Sequence, residues 1–190
     1  EFKSYDIEAM VFPASPFEAE GWLITGSRHG VYEKHSFIKQ LEEFIRKIEK
    51  EKIPLLGICF GHQIIAQALG GTVEKFSGGW SVGIQEYNWN GESMYLNAWH
   101  QDQVIKKPSK AKVLAESAFC KYAALSYGNT ILTTQPHPEF THEVIKGLVE
   151  TRGKGRVPEN LLKEALSNFD MEVSLNKIVN KFSTLLHGGR

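Results

Sequence analysis

The chain has 190 residues, 22 Lys plus Arg against 22 Asp plus Glu, and a formal net charge of zero, which is length enough for a full core. The balanced charge and the lack of a basic stripe argue against a nucleic-acid partner, and no apolar run approaches the roughly 20 residues that span a membrane. Two cysteines, Cys59 and Cys120, and no signal-peptide pattern lead us to expect a soluble, cytoplasmic protein in which Cys59 stays a free thiol.

The chain opens at Glu1 with no Met and no apolar strand, and we expect a first strand to be missing from it. Ile7 to Phe12 reads as a short edge strand ahead of a proline-containing loop at 14 to 16. Gly21 to Thr25 is an apolar strand running into Gly26-Ser27-Arg28-His29-Gly30, a loop of small residues where a backbone can approach a ligand closely. From His35 to Lys50, Phe37, Leu41, Phe44, Ile45 and Ile48 recur at helical spacing among Lys and Glu, as in an amphipathic surface helix.

Ile53 to Ile58 follows as a strand, so strand, helix and strand form a βαβ unit with parallel strands and a right-handed crossover. This strand stops at Gly57, presents Cys59 on a tight turn and leaves through Gly61 into a helix that ends at Gly70 and Gly71. Gly-x-Cys-x-Gly is the cysteine form of a nucleophile elbow, in which small flanking residues let a strained turn lift the side chain clear of the sheet. A thiol at a helix N-terminus suits a nucleophile, because the backbone N–H groups and the helix dipole favour an anion there.

After Gly71 the pattern changes to β-like segments at Thr72–Glu74, Val82–Tyr87, Met94–Ala98, Lys112–Ala115, Tyr122–Tyr127 and Ile131–Gln135. Asn90-Gly91 and Gly128-Asn129 are hairpin signals. Trp99-His100-Gln101-Asp102 forms a polar and aromatic cluster directly after one of these strands. The last strand ends in Gln135-Pro136-His137-Pro138-Glu139, after which Phe140 to Thr151 resumes helical spacing. Gly153 to Pro158 is a loop, and helices at about 159 to 168 and 174 to 187 complete a chain with no repeat and no linker long enough to divide it.

The two prolines hold the backbone extended around His137, and the i, i+2 spacing sends His137 and Glu139 to the same side. A carboxylate there can accept the imidazole N–H, set the tautomer and leave the other ring nitrogen facing a nucleophile. The Cys59 and His137 strands both end at the carboxyl edge of the sheet, where open α/β sheets place their sites. His62 leads into the apolar stripe Ile64, Ile65, Ala68 and Leu69 and reads as structural, and Cys120, with no flanking glycines, reads as core.

GICFGHQIIAQALGG followed by QPHPEF resembles the class I glutamine amidotransferase family over roughly Gly21 to Thr151. The resemblance implies an α/β fold of flavodoxin-like, class I glutaminase type, a mostly parallel central sheet flanked by helices, with a small antiparallel sheet that we place at residues 72 to 98. It implies one domain over 1–190, a Cys59-His137-Glu139 triad that attacks a γ-glutamyl amide through a thioester, and an oxyanion hole from the backbone N–H groups of Phe60 and of the Gly26-Ser27 loop. Gln63, Trp99, His100 and Gln101 are the implied substrate-binding positions, and no metal or cofactor is expected. The expected ligand is glutamine or another γ-glutamyl small molecule, and a glutaminase would have as its partner a separate synthase subunit.

The same motifs resemble GMP-synthase-like stand-alone proteins and the plant γ-glutamyl peptidases, so hydrolysis of γ-glutamyl peptides is the alternative to release of ammonia from glutamine. A binding module that keeps the elbow without turnover is a third reading, against which the intact Cys, His and Glu argue. Selectivity is expected from walls near Arg28, His29, Trp80 and Trp99. A closed pocket would suit glutamine, and an open groove a peptide leaving group.

Overall fold

The protein is described by a computed structural model covering residues 1–168, 171 and 173–187. Leu55 and Leu56, adjacent in a strand whose four residues are all buried, pack into two different clusters, and that alternation sorts the molecule into layers. Leu55, Leu125 and Ile131 face one way, against helix α1 (Ser36–Lys50) and helix α2 (Phe60–Ala68). Leu56, Ala124 and Leu132 face the other, against Tyr87, Trp89, Met94, Leu96 and Ile178 of helix α5 (Leu175–His187).

The strands are β1 (Trp22–Ile24), β2 (Leu55–Ile58), β3 (Thr72–Lys75), β4 (Ser81–Trp89), β5 (Glu92–His100), β6 (Asp102–Lys106), β7 (Ala111–Glu116), β8 (Ala124–Tyr127) and β9 (Ile131–Thr134). Seven form one sheet in the order β1-β2-β9-β8-β7-β4-β5, and β3 pairs with β6 in a separate antiparallel ribbon. β1, β2 and β9 run parallel, in the register Ile24 to Gly57 and Ile58 to Thr134. The remaining pairings of the large sheet are antiparallel. The α/β class, the helices on both faces and the separate small sheet match the expectation, and the parallel strands are the ones that build the site.

α1 buries Phe37, Ile38, Leu41, Ile45 and Ile48, and Phe44 is half-buried edge-on to Trp22 at 5.1 Å. Helices α3 (His142–Leu148) and α4 (Glu159–Ser167) close a third cluster of Val82, Ile145, Val149, Leu162 and Ala165 over β4, joined by a π turn at Val149–Gly153. Asn90 and Gly91 carry φ of 51° and 89°, the two left-handed residues that a tight β4–β5 hairpin requires.

Three expectations are corrected. Ile7 to Phe12 is a turn, because the Met10 and Val11 N–H groups donate to Ile7 and Asp6 carbonyls at 3.0 Å and the Asp6 carboxylate accepts from the Ala9 N–H. The small sheet pairs β3 with β6, a strand the sequence pattern does not reveal, whereas β4 and β5 extend the large sheet. Trp99 and His100 lie within β5, at its end.

Candidate active site

β1, β2 and β9 run parallel, so the residues that follow them emerge at one edge of the sheet. Cys59 is the first residue after β2 and the N-cap of α2, with φ 52° and ψ −104°. Its N–H donates to the Thr134 carbonyl at 2.9 Å and its carbonyl accepts from Gln63 at 3.0 Å, so the strained turn is pinned on both sides. The flanking glycines are required by contact with backbone. A Cβ on Gly61 would lie 2.1 Å from the Ile24 carbonyl oxygen, and one on Gly57 would lie 2.7 Å from the Gly61 carbonyl.

His137 follows β9 and is 5% exposed. Its N–H donates to the Asn97 carbonyl at 2.8 Å, its ring stacks on Phe140 at 3.8 Å, and the Asn97 amide holds the Phe140 carbonyl at 2.8 Å. Nδ1 lies 2.7 Å from Glu139 Oε1, so the acceptor-only carboxylate places the ring proton on Nδ1 and leaves Nε2 free to act. Burial disfavours the imidazolium, but the adjoining Cys59 side chain and Glu139 outweigh it and raise the His137 pKa to about 9. Gly26 closes the third side, where a Cβ would lie 3.1 Å from His137 Cε1 and 3.8 Å from Cys59 Cβ.

A cavity of about 550 Å³, open to solvent, brings Cys59, His137, Glu139, Gly26, Ser27 and Trp99 together. The Phe60 side chain is buried towards Phe37, while its backbone N–H begins α2 directly after Cys59. The other expected binding residues do not line the cavity. Gln63 donates to the Asp102 carbonyl at 2.9 Å and to Gln135 at 3.0 Å, Gln101 reaches the Phe76 carbonyl at 3.4 Å, and His100 is buried with Nδ1 3.3 Å from the Asp102 carbonyl. Trp80 packs edge-on to Trp99 at 6.3 Å and belongs to the third cluster. His62 is wholly buried against Thr133 Oγ1 at 2.8 Å, in keeping with a structural role.

Sequence reasoning missed Glu8, Phe140 and Arg152, which also line the cavity. Glu8 reaches it from the turn near the N-terminus, accepting from Ser27 Oγ at 3.1 Å and pairing with Arg28 at 3.5 Å. Arg152 comes from the π turn and, with Arg28, opens into a second cleft of about 450 Å³ lined also by Thr151, Lys154 and Arg156. The cationic run Arg152-Gly-Lys-Gly-Arg156 was the available signal, although nothing in the sequence placed it beside Cys59.

Residues 8–150 match the family model for glutamine amidotransferase class-I. The chain is 28% identical over 177 residues to gamma-glutamyl peptidase 4 of Arabidopsis thaliana, covering 85% of this chain and 70% of the relative. It is 30% identical over 159 residues to gamma-glutamyl peptidase 2 of the same plant, covering 77% of this chain and 64% of the relative, so it spans about two thirds of these proteins. A glutamine-hydrolyzing GMP synthase subunit of Saccharolobus solfataricus is 36% identical over 123 residues, 60% of this chain and 65% of that protein. The crystal structure of a glutamine amidotransferase from Thermotoga maritima superposes with a TM-score of 0.76 at 22% identity, over 96% of this chain and 85% of that one.

Proposed function

We propose, from the premise that the chain belongs to the class I glutamine amidotransferase family, that it hydrolyses γ-glutamyl amide bonds with Cys59 as nucleophile and leaving groups larger than ammonia. The observation that carries the reading is the convergence of a strained, helix-capping Cys59 with a Glu139-oriented His137 in one open cavity. The Cys59 thiol proton passes to His137 Nε2 as the sulfur adds to the γ-carbonyl carbon, and the tetrahedral oxyanion is received by the backbone N–H groups of Phe60 and of Gly26-Ser27. His137 Nε2 passes its proton to the departing amine, which leaves a thioester on Cys59. His137 then accepts a proton from water as the water attacks the thioester, and glutamate is released. Glu139 holds the imidazole through Nδ1 and favours its charged form at both stages.

The open cavity and its continuation into the second cleft support a peptide-sized leaving group, since release of ammonia alone asks for a closed pocket. The likeness to the Saccharolobus solfataricus GMP synthase subunit supports a second reading, a glutaminase that passes ammonia to a separate synthase. Comparing kcat/KM for glutamine and for γ-glutamyl dipeptides on the isolated chain, with and without cell extract, separates the two. Efficient dipeptide cleavage by the chain alone supports the first. Negligible activity that rises on glutamine only with a co-purifying protein supports the second and overturns the first.

A further inference from the structure

We propose that His29, Glu33 and His35 form a binding site for a divalent transition-metal ion of zinc type, which clamps the loop leaving β1 beside the Cys59 cavity. The three side chains come from the short stretch His29-Gly-Val-Tyr-Glu33-Lys-His35, lie outside the cavity lining, and have no part in the reaction above. Their donor atoms all lie within 4.8 Å of one another. Glu33 Oε2 is 3.2 Å from His29 Nδ1 and 2.8 Å from His35 Nε2. Ligand atoms bound tetrahedrally at ~2.0–2.1 Å lie about 3.4 Å apart, so one ion fits among them after shifts of about 1 Å or less.

A single carboxylate oxygen facing two imidazole nitrogens needs a proton on each of them when no metal is present. One cation bound to all three atoms replaces both protons. Two imidazoles and a carboxylate are a nitrogen-rich donor set that suits zinc and its neighbours rather than magnesium or calcium. The partial exposure of the cluster leaves a fourth position open to water.

The surroundings hold the ligands in place. His35 stacks on Phe37 at 5.5 Å with planes 13° apart, and His29 meets the same ring edge-on at 5.7 Å, so a buried phenyl ring orients both imidazoles. The intervening turn is closed by the Glu33 N–H donating to the Gly30 carbonyl at 3.1 Å and tied to β6 by Tyr32 donating to Asp102 at 3.0 Å. On the far side of His29, Nε2 accepts from Arg28 Nε at 3.4 Å and lies 3.4 Å from Glu8 Oε2. The same Glu8 accepts from Ser27, so a bound ion would connect through it to the cavity wall. The site stands whatever the reaction proves to be, because none of its ligands belongs to the proposed chemistry.

The test is titration of the full, metal-stripped chain with zinc chloride alone by calorimetry, with thermal unfolding as a second readout, since a ligand that binds only the folded state raises Tm. The wild type is expected to bind one ion with a rise in Tm, and Cys59→Ala is expected to bind equally well. His35→Gln, His29→Gln and Glu33→Gln should abolish the heat while retaining the native circular dichroism. Cobalt in place of zinc should give a tetrahedral visible spectrum with no sulfur charge-transfer band. Absence of binding, binding that survives in a folded His29→Gln or His35→Gln variant, or binding lost with Cys59→Ala would each overturn the proposal. The last of these would place the ion on the thiol instead.

Discussion

Cys59 sits at φ 52° and ψ −104°, a conformation that costs on the order of 1–3 kcal/mol and persists only where neighbours enforce it. The Thr134 and Gln63 hydrogen bonds enforce it here. Cys59→Ala is expected to abolish γ-glutamyl turnover, and a glutamine-analogue electrophile should label Cys59 and spare Cys120, which is 2% exposed with its thiol pushed up to about 12 by burial. Peptide mapping of the adduct decides it, and label found mainly on Cys120 would contradict the assignment. His137 gives a second expectation. With its pKa at about 9, the imidazolium able to protonate a leaving amine persists through neutrality and is lost as pH rises through that value. The alkaline limb of kcat/KM should therefore lie near pH 9. Glu139→Gln should move it down, because the carboxylate supports the charged ring. An unmoved limb would mean that Glu139 does not act on His137.

These two residues were legible because their neighbours carry mechanical meaning, glycines beside the cysteine and prolines beside the histidine. Glu8 and Arg152 were not, since each reaches the cavity by a turn whose position depends on the packed molecule. Gln63, His100 and Gln101 were named through resemblance, yet the Gln63 and Gln101 amides donate to Asp102, Gln135 and Phe76, and His100 Nδ1 faces the Asp102 carbonyl while its buried Nε2 has no partner among the described residues.

Among the elements, α1 and β2 were readable from periodicity, because a one-sided helix and a strand buried on both faces leave clear patterns. β6 was not, because Asp102-Gln103-Val104-Ile105-Lys106 has only two apolar residues and is a strand chiefly through its pairing with β3. The joint between β1, β2 and α2 supplies the sharpest test at this scale. Any side chain at Gly61 would press on the Ile24 backbone, which is itself held in the sheet by β2. Overpacking a well-filled core costs typically 1–3 kcal/mol, and here the obstacle is backbone rather than a flexible side chain. We therefore expect Gly61→Ala to lower stability by about 3 kcal/mol or more, read from the urea midpoint. A change below about 1 kcal/mol would show that the β1–α2 approach is loose.

Among the described residues, three buried histidines shape the pH dependence of the fold's stability. Burial, aided by the charge of its neighbour His100, lowers the His62 pKa to about 3, and burial lowers that of His100 to about 3 against a supporting hydrogen bond from its Nδ1 to the Asp102 carbonyl. Each is neutral in the folded protein and takes up a proton near pH 6.5 when unfolded, so its contribution is intact above 6.5 and is lost as pH falls towards 3. Each unit of pH below 6.5 costs about 1.4 kcal/mol per histidine, so the pair loses about 4 kcal/mol by pH 5, a large share of the 5–15 kcal/mol of an ordinary domain. His137 has the opposite sign. Its raised value adds stability that is full below 6.5 and is lost as pH rises through about 9. Stability should therefore peak near pH 6.5 and fall on both sides, towards acid through His62 and His100 and towards alkali through His137 joined by Cys120, whose buried thiol stays protonated while the unfolded one ionises above about 8.5. Urea midpoints between pH 4 and 10 measure the curve. His62→Gln, which can keep a hydrogen bond to Thr133 but does not titrate, is expected to be less stable at pH 7 and to lose about half of the acid slope. A variant whose acid slope equals that of the wild type would remove His62 as a cause.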